Sequence, residues 1–163
     1  MIAVLFRLVG DRDEAEDLAL EVFLRLHRSP PTERPDSSSN LGGWLYRVAT
    51  NLGLNALRAR KRRQHYEQQA GKHALETTSV ANPAAIAERN DERERVQRVL
   101  LQIKPRSAQL LTLRYSGFSY AELADTLNVS PRSIGTLLAR AEREFERAYR
   151  AQEGAIHKAG HLK

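Results

Sequence analysis

The chain has no cysteine. Disulfides and thiolate-ligated metal sites are therefore excluded, and a reducing compartment fits. It has one tryptophan, one methionine and six prolines in 163 residues. Its longest apolar run lies next to Met1 and is too short to cross a bilayer. Arg7 and Asp11 follow that run without a small-residue cleavage site, which is unlike a signal peptide. A soluble cytoplasmic protein without a membrane partner is expected. Alternation of apolar and polar residues never persists over about six positions, so no sheet is expected. Neither a glycine-rich phosphate loop nor a nucleophile constellation is present, so no catalytic residue, cofactor or small-molecule substrate is expected.

What is present is charge and helical periodicity. Lys and Arg total 26 against 20 acids, a formal charge of +6. An excess of this kind, where it clusters, suits a polyanion such as nucleic acid. The spacing of Ala15, Leu18, Ala19, Val22 and Leu26 predicts a helix from about Asp13 to His27 with one buried stripe. Pro30, Pro31 and Pro35 end it, and a Ser-rich loop follows. A second helix is expected from near Asn40 to about Arg63. Residues 64–81 are polar and weakly periodic, which reads as a linker. Asn82-Pro83 opens a third helix whose seam is Val96, Val99, Leu100 and Ile103. The fold class is all-α: two small helical domains joined by a flexible linker. The divisions are 1–63, a linker at 64–82, 83–150, and a frayed tail at 151–163.

The second domain ends in a helix-turn-helix pattern. Pro105 restarts the chain through Tyr115, and Ser119 with Glu122 makes a capping box for Tyr120–Leu127. Asn128 suits the left-handed stop, and Ser130-Pro131 opens the last helix. At about 100° per residue, Ile134, Leu137, Leu138, Ala141 and Phe145 share one side of that helix. Arg132, Thr136, Arg140, Arg143, Arg147 and Arg150 share the other. Glu142, Glu144 and Glu146 fall on the flanks. A major groove admits such a helix, with early side chains at base edges and later arginines at phosphates. The bland alternative is a solvated charged face.

On the second helix Leu45, Val48, Ala49, Leu52 and Ala56 form the expected seam. Trp44, Arg47, Asn51, Asn55, Arg58 and Arg62 lie opposite, next to the basic run Arg58, Arg60, Lys61, Arg62 and Arg63. Arginines neutralise phosphates, amides read base edges, and a flat aromatic stacks on an unpaired base. Core packing is the plainer fate for Trp44. The first helix carries Asp13, Asp17, Leu20, Glu21 and Leu24 opposite its buried stripe. Leucines rimmed by acids form either a partner surface or a second packed face.

Three stretches carry a resemblance. Residues 10–26, GDRDEAEDLALEVFLRL, resemble the polymerase-binding segment of extracytoplasmic-function sigma factors. Residues 44–63, WLYRVATNLGLNALRARKRR, look like the family's segment that opens and reads the downstream promoter element. KPRSAQLLTLR (104–114) and SYAELADTLNVSPRSIGTLLARA (119–141) resemble its winged-helix-like region 4, whose helix-turn-helix reads the upstream element. The resemblance implies core RNA polymerase and promoter DNA as partners, with an anti-sigma protein in many members, and no cofactor. It implies that Asp13, Glu16, Asp17, Leu20 and Glu21 meet the polymerase clamp helices. Trp44, Arg47, Asn51, Asn55 and the cluster from Arg58 to Arg63 would engage the opened strand. The loop from Pro30 to Asn40 would help hold a flipped base. Arg132, Ser133, Thr136 and Arg140 would face the upstream element. The sequence departs from the pattern in three places. Met1–Val9 is a stub where the family has more helix, Leu20 stands where glutamine is common, and Gly135 and Leu137 stand where basic residues are common.

The same residues admit other functions. A stand-alone repressor or activator would use the helix-turn-helix without needing the Trp44 stripe or the acidic first helix. A degenerate family member would bind polymerase or DNA without starting transcription. A nuclease or metal hydrolase would need ligands. His157 and His161 have a helical metal-binding spacing but no acidic third ligand nearby, so no metal is expected.

Overall fold

The computed structural model describes residues 1–31, 41–69 and 83–160, side chains excepted at 68–69, 83–90 and 155–160. Among them are seven helices and no strand: α1 (Ile2–Val9), α2 (Arg12–Arg28), α3 (Leu41–Gln69), α4 (Pro83–Gln102), α5 (Pro105–Tyr115), α6 (Tyr120–Leu127) and α7 (Pro131–Gly160).

The apolar run after Met1 forms a short helix. Val4, Leu5, Leu8 and Val9 of α1 are buried. Gly10 stops α1 at φ 82°, a left-handed conformation that glycine adopts without Cβ strain. The carbonyls at this helix end lack intrahelical partners. Side chains from α3 and α4 supply them: Arg60 donates to the carbonyl of Val9 at 3.0 Å, Arg93 to Gly10 at 3.1 Å and Gln97 to Leu8 at 2.6 Å. Two of these donors are cations at the negative end of the helix dipole. Asp11 then caps α2, its carboxylate accepting from the Glu14 N–H at 2.8 Å. Ala15, Ala19 and Val22 are buried as the periodicity requires.

Two elements run further than the sequence suggests. α3 continues through Gln69 into the expected linker, because residues 64–69 contain no Gly or Pro and include good helix formers. The rest of that linker, 70–82, lies outside the described residues, as do 32–40 of the loop after α2. α7 likewise continues through Gly160, where a frayed tail is expected after Tyr149. Ala, Gln, Glu and Lys in that stretch outweigh the cost of Gly154.

The buried residues form one core that joins α1–α3 to α4–α7. The two halves therefore pack against each other. α3 is the reason, because it buries two sides. Ala49 and Leu52 lie on the expected seam, but Thr50, Leu54 and Leu57 are buried as well. At Gly53 the approach of α1 is so close that a Cβ would sit 2.7 Å from Leu8 Cδ1. In the C-terminal half, Val99, Ala108, Leu113, Leu123, Ala124, Ile134 and Ala141 are all essentially inaccessible.

Candidate nucleic-acid and polymerase interfaces

The helix-turn-helix forms as its punctuation dictates. The Ser119 hydroxyl accepts from the Glu122 N–H at 3.3 Å, and the Glu122 carboxylate accepts from the Ser119 N–H at 2.7 Å. The Ser119 side chain, and after it the Ser119 N–H, hold the Glu122 carboxyl below its ordinary range. Asn128 adopts φ 53°, ψ 55° and turns the chain into α7. Ile134, Leu138 and Ala141 then anchor α7 in the core, with Leu137 and Phe145 half-buried.

That anchoring fixes the opposite face. Arg132, Thr136, Arg140, Arg143, Arg147 and Arg150 are all exposed, and Ser133 is half-buried. Arg150 is paired with Glu146, whereas Arg132, Arg140, Arg143 and Arg147 have no carboxylate partner among the described residues. The Ser133 hydroxyl donates to the Ser130 carbonyl at 2.7 Å, which leaves only its acceptor capacity for a ligand. Gly135 lies on this exposed side. A Cβ there would meet nothing closer than Tyr120 Cε2 at 4.0 Å. Gly135→Ala is therefore expected to raise stability by about 1 kcal/mol, from helix propensity alone. Denaturant titration checks this, and an unchanged midpoint would contradict it.

The stripe on α3 is also at the surface. Asn51, Asn55, Arg62 and Arg63 are exposed, while Trp44, Arg47 and Arg58 are half-buried. Trp44 is thus neither a core residue nor a freely projecting one. Arg58 donates to Asn55 Oδ1 at 2.8 Å, so the amide orients the guanidinium. The basic run does not act as a single cluster. Arg60 turns to the other side of the helix, where it pairs with Glu14 of α2 and caps Val9. It ties α1, α2 and α3 together. Spacing at about 100° per residue already separates Arg60 from Arg58 and Arg62.

On α2 the leucines beyond the buried stripe lie at the surface. Leu20 is 60% exposed and Leu24 39%. Phe23, which the stripe reading missed, is 51% exposed beside them. Acids rim this apolar patch. Glu16 pairs with Arg12 and Glu21 with Arg25, each at 2.9 Å, while Asp17 has no ion pair among the described residues. Asp13 is exposed in the first turn. Exposed pairs of this kind contribute little to stability, so the acids are free to meet another surface.

No group of three metal-ligating side chains occurs among the described residues, and the side chains of His157 and His161 lie outside them. No described helix is long and apolar enough to cross a membrane.

Comparison with known proteins gives two family matches. Residues 1–63 match sigma-70 region 2, and residues 93–145 match sigma-70 region 4. The chain is 29% identical over 157 residues to the RNA polymerase sigma-H factor of Pseudomonas aeruginosa, covering 91% of this chain and 79% of that protein. It is 31% identical to the ECF RNA polymerase sigma factor SigE of Mycolicibacterium smegmatis, covering 85% of this chain and 51% of the relative. It is 28% identical to SigW of Bacillus subtilis, another ECF RNA polymerase sigma factor, over 86% and 76% of the two chains. A solved sigma factor, RpoE of Bartonella quintana in complex with the anti-sigma factor NepR, superposes with a TM-score of 0.47 at 19% identity, over 91% of this chain and 89% of that one.

Proposed function

Because the chain belongs to the extracytoplasmic-function sigma factors, which bind core RNA polymerase and direct it to promoters, we propose that three of its surfaces divide that work. The acid-rimmed patch of α2 (Asp13, Glu16, Asp17, Leu20 and Glu21, with Phe23 and Leu24) grips the polymerase. The α3 stripe engages the opened non-template strand. Asn51 and Asn55 supply amides for base edges, Arg58, Arg62 and Arg63 neutralise phosphates, and the accessible part of Trp44 stacks on a base. Arg132, Thr136 and Arg140 of α7 meet the upstream duplex, with Ser133 as an acceptor. The work is divided at 64–82, with 1–63 on one side and 83–150 on the other. Sigma factors are initiation factors without a catalytic step of their own. An anti-sigma protein is a further candidate partner, because covering the α2 patch or the α3 stripe would hold the chain inactive.

The observation that carries this reading is the placement of the three sets. Each lies at the surface on a helix anchored by a different part of the core, and each presents a different chemistry. A stand-alone repressor would need only the α7 face. Retention of the purified chain on core polymerase without DNA separates the two, since a sigma factor is retained and a simple helix-turn-helix regulator elutes free.

A further inference from the structure

Past Arg60 the helix α3 leaves the core. Every side chain from Lys61 to Glu67 is exposed, although the helix runs on to Gln69. A helix that is polar all round buries no face of its own. This arm is helical because the packed part of α3 nucleates it and its residues are good helix formers. The stretch that matches sigma-70 region 2 ends at residue 63, so the far part of the arm lies beyond the family segment.

The arm combines charge with one large aromatic. Lys61, Arg62 and Arg63 at its root have no carboxylate partner among the described residues. Tyr66 is 67% exposed, and the His65 ring leans against it with centroids 6.1 Å apart. A single exposed tyrosine is ordinary on a protein surface. Its place on the helix is not. At about 100° per residue, Trp44, Asn51, Asn55, Arg58 and Tyr66 all fall within about 40° of Arg62. Tyr66 therefore continues the stripe about one turn past Arg62, directly after its cations. Glu67, the acid of the arm, points about 140° away from Arg62.

We propose that this arm lengthens the DNA-binding face of α3 beyond the family segment, with Tyr66 as a flat platform for the DNA that runs off the basic end of the helix. This rests on the reading of α3 as the strand-engaging helix. Lys61, Arg62 and Arg63 hold the backbone by neutralising phosphates. The ring then takes a flat apolar surface of the same DNA, either a base of the opened strand or the edge where the duplex resumes. Stacking of this kind tolerates any sequence, because every base has a π face. DNA seated on the stripe covers the Tyr66 side of the arm and leaves the Glu67 side in water.

The chain has no cysteine, so a single introduced one is a unique handle. Full-length Tyr66→Cys, Glu67→Cys and Asn55→Cys chains, each labelled with a photoactivatable cross-linker before assembly with core polymerase, are irradiated on a fork of mixed-sequence DNA that is duplex on one side and single-stranded on the other. Tyr66→Cys is expected to cross-link to DNA about as well as Asn55→Cys, and Glu67→Cys roughly ten-fold less. The nucleotide that is labelled tells single strand from duplex edge. In equilibrium titrations with the same fork, Tyr66→Ala should bind about ten-fold more weakly with an unchanged salt slope, because a platform is lost and no charge. Tyr66→Phe, which keeps the ring, should stay within about two-fold of wild type. Cross-links from Tyr66→Cys to polymerase alone, equal DNA labelling from Glu67→Cys, or wild-type affinity in Tyr66→Ala overturns the platform. If Asn55→Cys labels no DNA, the reading of α3 fails instead, and labelling from Tyr66→Cys still decides whether the arm touches DNA.

Discussion

Leu20→Ala with Leu24→Ala should reduce binding to core RNA polymerase by about 100-fold or more and leave the melting temperature unchanged. The two side chains are 60% and 39% exposed, so their removal opens no cavity, and alanine is the best helix former. Surface replacements of this kind stay within about 0.5 kcal/mol of stability. At an interface the same apolar groups are buried against a partner, where truncation of a central residue costs about 2 kcal/mol or more. Two such losses reach about 4 kcal/mol, close to three orders of magnitude in affinity if they add fully. The acid rim gives a second signature. Asp13, Asp17 and Glu21 should set the salt dependence of association rather than the apolar contribution, so the double variant should keep the wild-type salt dependence of its on-rate. Titration of polymerase against labelled chain reads both quantities. Near-normal binding with a lowered melting temperature would assign the leucines to packing.

The second large effect is expected at the basic end of α3. Arg58→Ala with Arg62→Ala should lower promoter-complex formation and flatten its salt dependence. For every phosphate no longer neutralised, the slope of log K against log salt falls by about 0.7 for a single strand and about 0.9 for duplex. The two arginines together account for about 1.4–1.8 of the slope, which at low salt is more than an order of magnitude in binding. Arg60→Ala is the informative comparison. It removes the pairing with Glu14 and the cap on Val9, so it should lower stability and leave the slope intact. A salt titration of promoter-complex formation separates the two arginine roles. An unchanged slope in the double variant would remove Arg58 and Arg62 from the interface.

Much of this was legible because the informative signals are local. Periodicity located the buried stripes of α2, α4 and α7, and the turn chemistry of Ser119, Glu122, Asn128 and Pro131 set the helix-turn-helix boundaries. The exposed stripes followed as their complement. What escaped depends on packing between distant segments. Thr50 and Gln109 look like surface residues by type, and their bonds to each other and to backbone carbonyls of α3 make both tolerable inside. Leu54 and Leu57 point away from the strongest seam of α3, so the second buried side, and with it the docking of the halves, was not visible one helix at a time. Arg60 is chemically indistinguishable from its neighbours, and its structural role comes from α1 ending beneath it. The extension of α3 was hidden for a different reason. Residues 64–69 form a polar helical stretch without a seam, which composition alone does not distinguish from a linker.

A sigma factor turns core polymerase into a promoter-specific enzyme, and transcription from a pool of double-stranded genomic fragments by core polymerase, with and without the purified chain, measures this directly. Transcripts are expected from discrete start sites that appear only with the chain and are lost in the Leu20/Leu24 and Arg58/Arg62 variants. A start-site pattern identical to that of core polymerase alone, from a chain that still binds the polymerase, would contradict it.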